Sequence, residues 1–172
     1  MFAAGLVAGG VLSATVLWLL SGLLRPLPEP LRYGLILGFA TVAMLRDVGV
    51  LRLRLPQNTW QIPQHVLQRG ELTGPLRFGF ELGTGVRTYL SATAPYVLAV
   101  GLLAGGLGVV TAALAGVGFG LGRAATPTVR RYSPDPAAWD ELLRARSRPL
   151  VVVATVAVAV SLMIALVPGS TG

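Results

Sequence analysis

The residues best able to do chemistry in this chain lie between positions 77 and 96. Arg77, Glu81, Thr84, Arg87, Thr88, Ser91 and Tyr96 are threaded through otherwise apolar sequence, with Gly79, Gly83 and Gly85 among them. A charged side chain inside a membrane span is costly and needs a partner. Glu81 follows Arg77 by four residues, the spacing of a local ion pair that would tie down a helix start at the interface. The threonines would then bond back to their own helix or pack against neighbours. The functional reading gathers Glu81, Thr84, Arg87, Thr88 and Tyr96 around a polar cavity. A helix broken at Gly83 to Gly85 would present free amides beside Arg87 as an anion site. Glu81, the Tyr96 hydroxyl and Asp47 are the available partners for Arg87.

No catalytic constellation accompanies these residues. The chain has no cysteine and a single histidine, His65. That excludes disulfides, thiol chemistry and cysteine metal sites, and a lone histidine builds no zinc site. His65 reads as a solvated interfacial residue. Gly116, Gly118, Gly120 and Gly122 superficially suggest a nucleotide loop but lack the preceding strand and the following polar helix. We expect no enzyme, no catalytic residue, no metal and no cofactor.

The elements that must position these residues are membrane helices. The chain is 53% hydrophobic and 12% charged, about half the charge of a soluble domain. Several apolar runs approach 20 residues, the length needed to cross a bilayer. The expected fold is an all-α polytopic membrane helix bundle, one membrane domain of about five transmembrane helices. The spans fall at about 3–24, 31–50, 77–104, 107–122 and 149–167. The third is long for one flat crossing and has its natural break at 83–85. Pro26, Pro28 and Pro30 should make a tight extended loop after the first span. Connectors 52–76 and 123–148 carry two interfacial segments, one a short surface helix after Pro63. The other is an amphipathic helix capped by Ser133 or Asp135, with Trp139, Leu142 and Leu143 on its apolar face and an Asp140–Arg144 pair.

The net charge is +7, and all 14 basic residues are arginine. In a soluble protein that excess would suggest nucleic acid. Here the arginines concentrate in connectors, so they read as orientation signals and contacts to anionic headgroups, with no nucleic-acid partner. Arg52, Arg54, Arg69, Arg77, Arg123, Arg130, Arg131, Arg144, Arg146 and Arg148 lie on one side, against Arg25 and Arg32 on the other. This places both connectors and the N-terminus in the cytoplasm and the C-terminus outside, in a cell (inner) membrane. Small residues recur every four positions. Gly108, Ala112, Gly116 and Gly120 form a helix-packing ridge, with shorter ridges at Gly5, Gly9 and Ser13, at Gly34 and Gly38, and at Ala157, Ser161 and Ala165. The run Leu12-Ser13-Ala14-Thr15 recurs as Leu90-Ser91-Ala92-Thr93, a hint of internal symmetry.

Phe78-Gly79-Phe80-Glu81-Leu82-Gly83, followed by Arg87-Thr88-Tyr89 and Pro95, resembles the glycine-rich helix entry of the CcdA/DsbD-type transmembrane thiol-reductant carriers. Tyr89 stands near the position where that family has its redox cysteine. The resemblance implies a degenerate member, and without cysteine the thiol-exchange activity does not transfer. Two function classes follow. One is a non-catalytic multi-pass subunit that docks on a larger membrane complex, or on itself, through the small-residue ridges and arginine-rich loops. The alternative is a small, oligomeric or single-chain, transporter or channel-like carrier with a polar or anion site at the Gly83–Arg87 break. Five spans make an incomplete set for a pseudo-symmetric carrier, which favours the subunit.

Overall fold

The computed structural model describes residues 1–53, 73–85 and 92–166. Trp60, His65, the expected surface helix after Pro63, Arg87, Thr88, Tyr89, Ser91 and the tail from Pro168 lie outside them. Among the described residues all regular structure is helical. In chain order these are α1 (Phe2–Leu20), extended by a 3-10 turn at Ser21–Leu24, then α2 (Glu29–Asp47), α3 (Thr73–Gly83) and α4 (Ala94–Ala104). They are followed by α5 (Val109–Tyr132), α6 (Pro136–Ala145) and α7 (Ser147–Leu166). Among the described residues three segments are long and apolar enough to cross a membrane: Phe2–Leu24, Val109–Tyr132 and Ser147–Leu166. α2 is 19 residues long, but Glu29, Arg32, Arg46 and Asp47 put charge at both of its ends.

Local chemistry explains most of the helix ends. Pro30 does not extend the proline loop; it lies in the first turn of α2, where its missing N–H costs nothing and its fixed φ suits a helix start. At the other end, Gly49 takes φ 91°. Its N–H donates to Arg46 O, and the Val50 N–H donates to Leu45 O. That pair of bonds is a Schellman cap, which spends carbonyls the helix leaves open. Asp135 caps α6 by accepting from the N–H groups of Ala137 and Ala138, both at 3.0 Å. The stretch from 77 to 104 does not run as one helix. α3 stops at Gly83, Gly85 takes φ 71°, and α4 starts at Ala94. α5 runs on to Tyr132, well past the expected end near 122. Past Gly122 it reads RAATPTVRRY, with Pro127 inside the helix.

The chain gathers into two compact units. One holds residues 1–13, 56–89 and 113–146 and the other residues 14–55, 90–112 and 147–172. In the first, α1 meets α3 backbone to backbone. A Cβ on Gly9 would sit 2.3 Å from Phe80 O, and one on Gly83 2.3 Å from Leu6 O. Gly5 and Gly79 stand one helical turn away in the same relation. Phe2 and Phe78 stack beside this crossing, ring centroids 6.0 Å apart. The neighbouring face of α1 receives α5, where a Cβ on Gly10 would lie 2.4 Å from Gly116 O. Lipid offers no hydrophobic drive between helices, so contact area and Cα–H···O contacts at such crossings supply the attraction.

In the second unit α2, α4 and α7 pack on one another. Ile36, Ala43, Val97, Leu102, Thr155 and Leu162 are buried there. Leu162 fills the space over Gly101, where a Cβ would come within 2.5 Å of its methyl carbons. The Trp18 indole donates to Leu107 O at 3.0 Å and closes the same unit.

Candidate functional site

The most concentrated chemistry lies in the second unit, around Asp47. Its side chain has no exposure. An unpaired carboxylate in such a place would be several kcal/mol in deficit, so its donors decide whether it can stay there. Oδ2 accepts from the Thr93 hydroxyl and, at 2.7 Å, from the Thr155 hydroxyl. The Thr93 N–H points at the same oxygen from 3.4 Å. Oδ1 accepts from Arg46 Nη1 at 2.9 Å. Thr93 is also 3.4 Å from Ala43 O and 3.3 Å from the Thr155 hydroxyl. One carboxylate thus joins α2, the start of α4 and the middle of α7. The backbone explains why Thr93 can reach it. Thr93 immediately precedes α4, and Pro95 in the first turn leaves no competing N–H there.

Above this network opens a cavity of ≈ 320 Å³, lined by Arg46, Asp47, Leu51, Leu53, Ser147, Arg148 and Val151. Arg46 is held on two sides, by Asp47 and by its Nε–H donating to Leu53 O at 3.1 Å. Its side chain keeps 20% exposure where Asp47 keeps none. The cavity is therefore presented with the guanidinium, not the carboxylate. Arg148, in the first turn of α7, is exposed and lies beside the α2 cap. A Cβ on Gly49 would be 3.5 Å from its Nη2.

The residues singled out from sequence are distributed differently. Arg77 Nε donates to Glu81 Oε1 at 3.3 Å, the local pair its four-residue spacing allows. The Thr84 hydroxyl donates to Glu81 O at 2.8 Å, and Thr84 O accepts from the Ser13 hydroxyl at 2.9 Å. These bonds belong to the first unit. Tyr96 is in α4, in the second unit, and Arg87 and Thr88 lie outside the described residues. Of the ridge on α5, Gly116 and Gly120 are buried against α1, Ala112 is buried, and Gly108 faces open space. From sequence Arg46 and Asp47 read as a pair either at the interface or slightly buried and partnered, and Asp47 as a partner for Arg87; Thr93 and Thr155 were missed as its ligands. A signal was present in Thr155, a hydroxyl alone in the run Val151 to Val160. Among the described residues no group of acidic or histidine side chains could hold a metal ion. Compared with protein-family models, curated proteins and solved structures, the chain matches none.

Proposed function

We propose that the chain is a small multi-pass membrane carrier for a polar solute, with its binding site at the cavity between α2 and α7. The observation that supports this reading is the fully buried Asp47, shared among three helices at the floor of an arginine-lined cavity. An intramembrane ionisable residue marks a solute pathway more often than a packing device. The subunit reading leaned on small-residue ridges, and those of α1 and α5 are spent inside the chain. The proposed topology has five crossings: α1 with its 3-10 extension, α2, the 77–104 stretch, α5 and α7. The N-terminus is cytoplasmic, as the arginine asymmetry directs. On that orientation the Asp47 cavity opens toward the cytoplasm.

Flux tests this. The purified chain is reconstituted into liposomes, and solute entry from gradients of phosphate, chloride, acetate and glycerol is followed by light scattering. Entry of one solute above empty liposomes, lost in Asp47→Asn, is the expected result. Equal rates with and without protein for the whole panel would overturn the carrier reading.

One observation favours docking as a second property. Nothing lies within 4 Å of where a Cβ on Gly34 or Gly38 of α2 would be, and Ala157 and Ser161 of α7 are exposed. These two ridges remain available for a neighbouring subunit or a second copy.

A further inference from the structure

Within the carrier reading, which this inference rests on, we propose that the α2–α7 cavity binds a phosphate group, with Arg148 as its donor and Arg46 as fixed counter-charge. Four observations carry it. First, the lining holds two guanidinium groups against one carboxylate. Both oxygens of that carboxylate are already occupied, Oδ1 by Arg46 and Oδ2 by Thr93 and Thr155. Its charge is spent inside the wall, and its effect on the cavity is to hold Arg46 in place. A metal cation or ammonium group would meet arginine, not free oxygen. Second, Arg148 makes no ion pair or hydrogen bond among the described residues, yet its guanidinium is laid against the α2 cap. A Cβ at Gly49 would lie 3.5 Å from its Nη2, in ordinary van der Waals contact. Third, the positive end of the α7 dipole faces the negative end of α2 at this cavity, so the two oppose each other and the guanidinium of Arg148 sets the excess charge. Fourth, ≈ 320 Å³ is small for a ligand pocket, which typically runs from about 300 to 1,000 Å³. It admits an oxyanion or a lipid headgroup and leaves acyl chains outside.

Phosphate is favoured over chloride because guanidinium donates through a planar fork that matches two oxygens at once. The same chemistry has two sources, free orthophosphate and the phosphodiester of an anionic lipid. On the proposed orientation both are present on the side where the cavity opens.

The test is equilibrium binding by the full chain, which requires no transport. Thermal unfolding is followed in nanodiscs of phosphatidylcholine while sodium phosphate is titrated, with sodium chloride at equal ionic strength as the control. A parallel series replaces phosphatidylcholine with phosphatidylglycerol. Wild type should be stabilised by phosphate, by phosphatidylglycerol, or by both. Stabilisation by phosphate alone identifies the free anion, and by phosphatidylglycerol alone the headgroup. Arg148→Gln should weaken the apparent affinity about tenfold to a hundredfold, the loss expected for one charge-assisted donor. Arg148→Lys should recover only part of it, since lysine keeps the charge and loses the fork. Arg148 is exposed, so neither variant threatens the fold. The inference is overturned if chloride stabilises as well as phosphate does, or if neither phosphate nor phosphatidylglycerol stabilises wild type. It is also overturned if Arg148→Gln lowers stability by the same amount with and without phosphate, because Arg148 would then be a helix cap only. Binding without flux would leave the site standing and remove the carrier reading.

Discussion

Asp47 holds its place by hydrogen bonds that each have a measurable share. Thr155→Val removes one hydroxyl donor and leaves Oδ2 less well satisfied, at a cost of about 1–3 kcal/mol. Thr155→Ser keeps the hydroxyl and should recover most of that. Asp47→Ala strips the partner from Arg46 and from both threonines, and should cost about 3–5 kcal/mol. Chemical unfolding in a mild detergent reads all three. A Thr155→Val chain as stable as wild type would mean that Asp47 is satisfied without it. Asp140 offers a contrasting, exposed carboxylate. Arg130 grips it through a fork, Nε to Oδ1 at 2.8 Å and Nη2 to Oδ2 at 2.9 Å. Hydrogen bonding to Arg130 holds its carboxyl below the ordinary carboxylate range. A carboxyl whose folded pKa is depressed stabilises the fold above its unfolded pKa and loses that contribution as pH falls through the folded value. The α5–α6 link should therefore persist at neutral pH and release only below the usual carboxylate range. Emission from Trp139, with Trp18 and Trp60 replaced by Phe, should shift on acidification in wild type. It should already be shifted at neutral pH in Asp140→Asn. High salt should bring the wild-type change to higher pH, since the pair is open to solvent.

Between helices, the decisive dimension is the room left for a side chain. At the α1–α5 crossing Gly116 is buried, a Cβ on Gly10 would meet the backbone of Gly116, and one on Gly120 the backbone of Leu6 and Val7, none of which can swing aside. Gly116→Leu should therefore destabilise by at least the 1–3 kcal/mol typical of overpacking, roughly. Leu114→Ala, two residues away at a position 65% exposed, should change little in detergent. Equal melting temperatures for the two would mean that the crossing does not form. Gly38→Leu is the complementary substitution. Its site is open within one chain, so folding should survive it. If α2 is a contact between copies, size-exclusion chromatography with light scattering should show a smaller assembly in Gly38→Leu than in wild type. An unchanged mass would assign that ridge to lipid.

For the whole molecule, the arginine asymmetry and five proposed crossings make one joint statement about sidedness. Reporter fusions after Pro28 and beyond α7 should report the outside, and fusions at Asp135 the cytoplasm. A cytoplasmic signal beyond α7 would require an even number of crossings. The segment to re-examine would be 77–104, where α3 and α4 are each 11 residues long and neither crosses a bilayer alone.

What the sequence determined by itself was local or additive. The length of apolar runs against bilayer thickness is a sum over neighbours, and it marks segments long and apolar enough to cross a membrane without any knowledge of contacts. Caps, turns and near-neighbour pairs have ranges of one helical turn. Asp135 as a helix cap, the break at Gly83 to Gly85 and the Arg77–Glu81 pair were therefore legible. The tertiary structure alone decided which distant groups meet. Asp47 and Thr93 are 46 residues apart and Asp47 and Thr155 are 108 apart, and nothing in either neighbourhood names the other. Gly83 read as a break point from sequence. The fold made it, with Gly79, a close-packing face as well, because a missing side chain has the same spelling whether it frees a backbone or admits a neighbouring one. Arg148 counted toward sidedness and Arg46 did not. Only the approach of α7 to the end of α2 set the two around one cavity, and that approach depends on Asp47 being satisfied by hydroxyls from elsewhere in the chain.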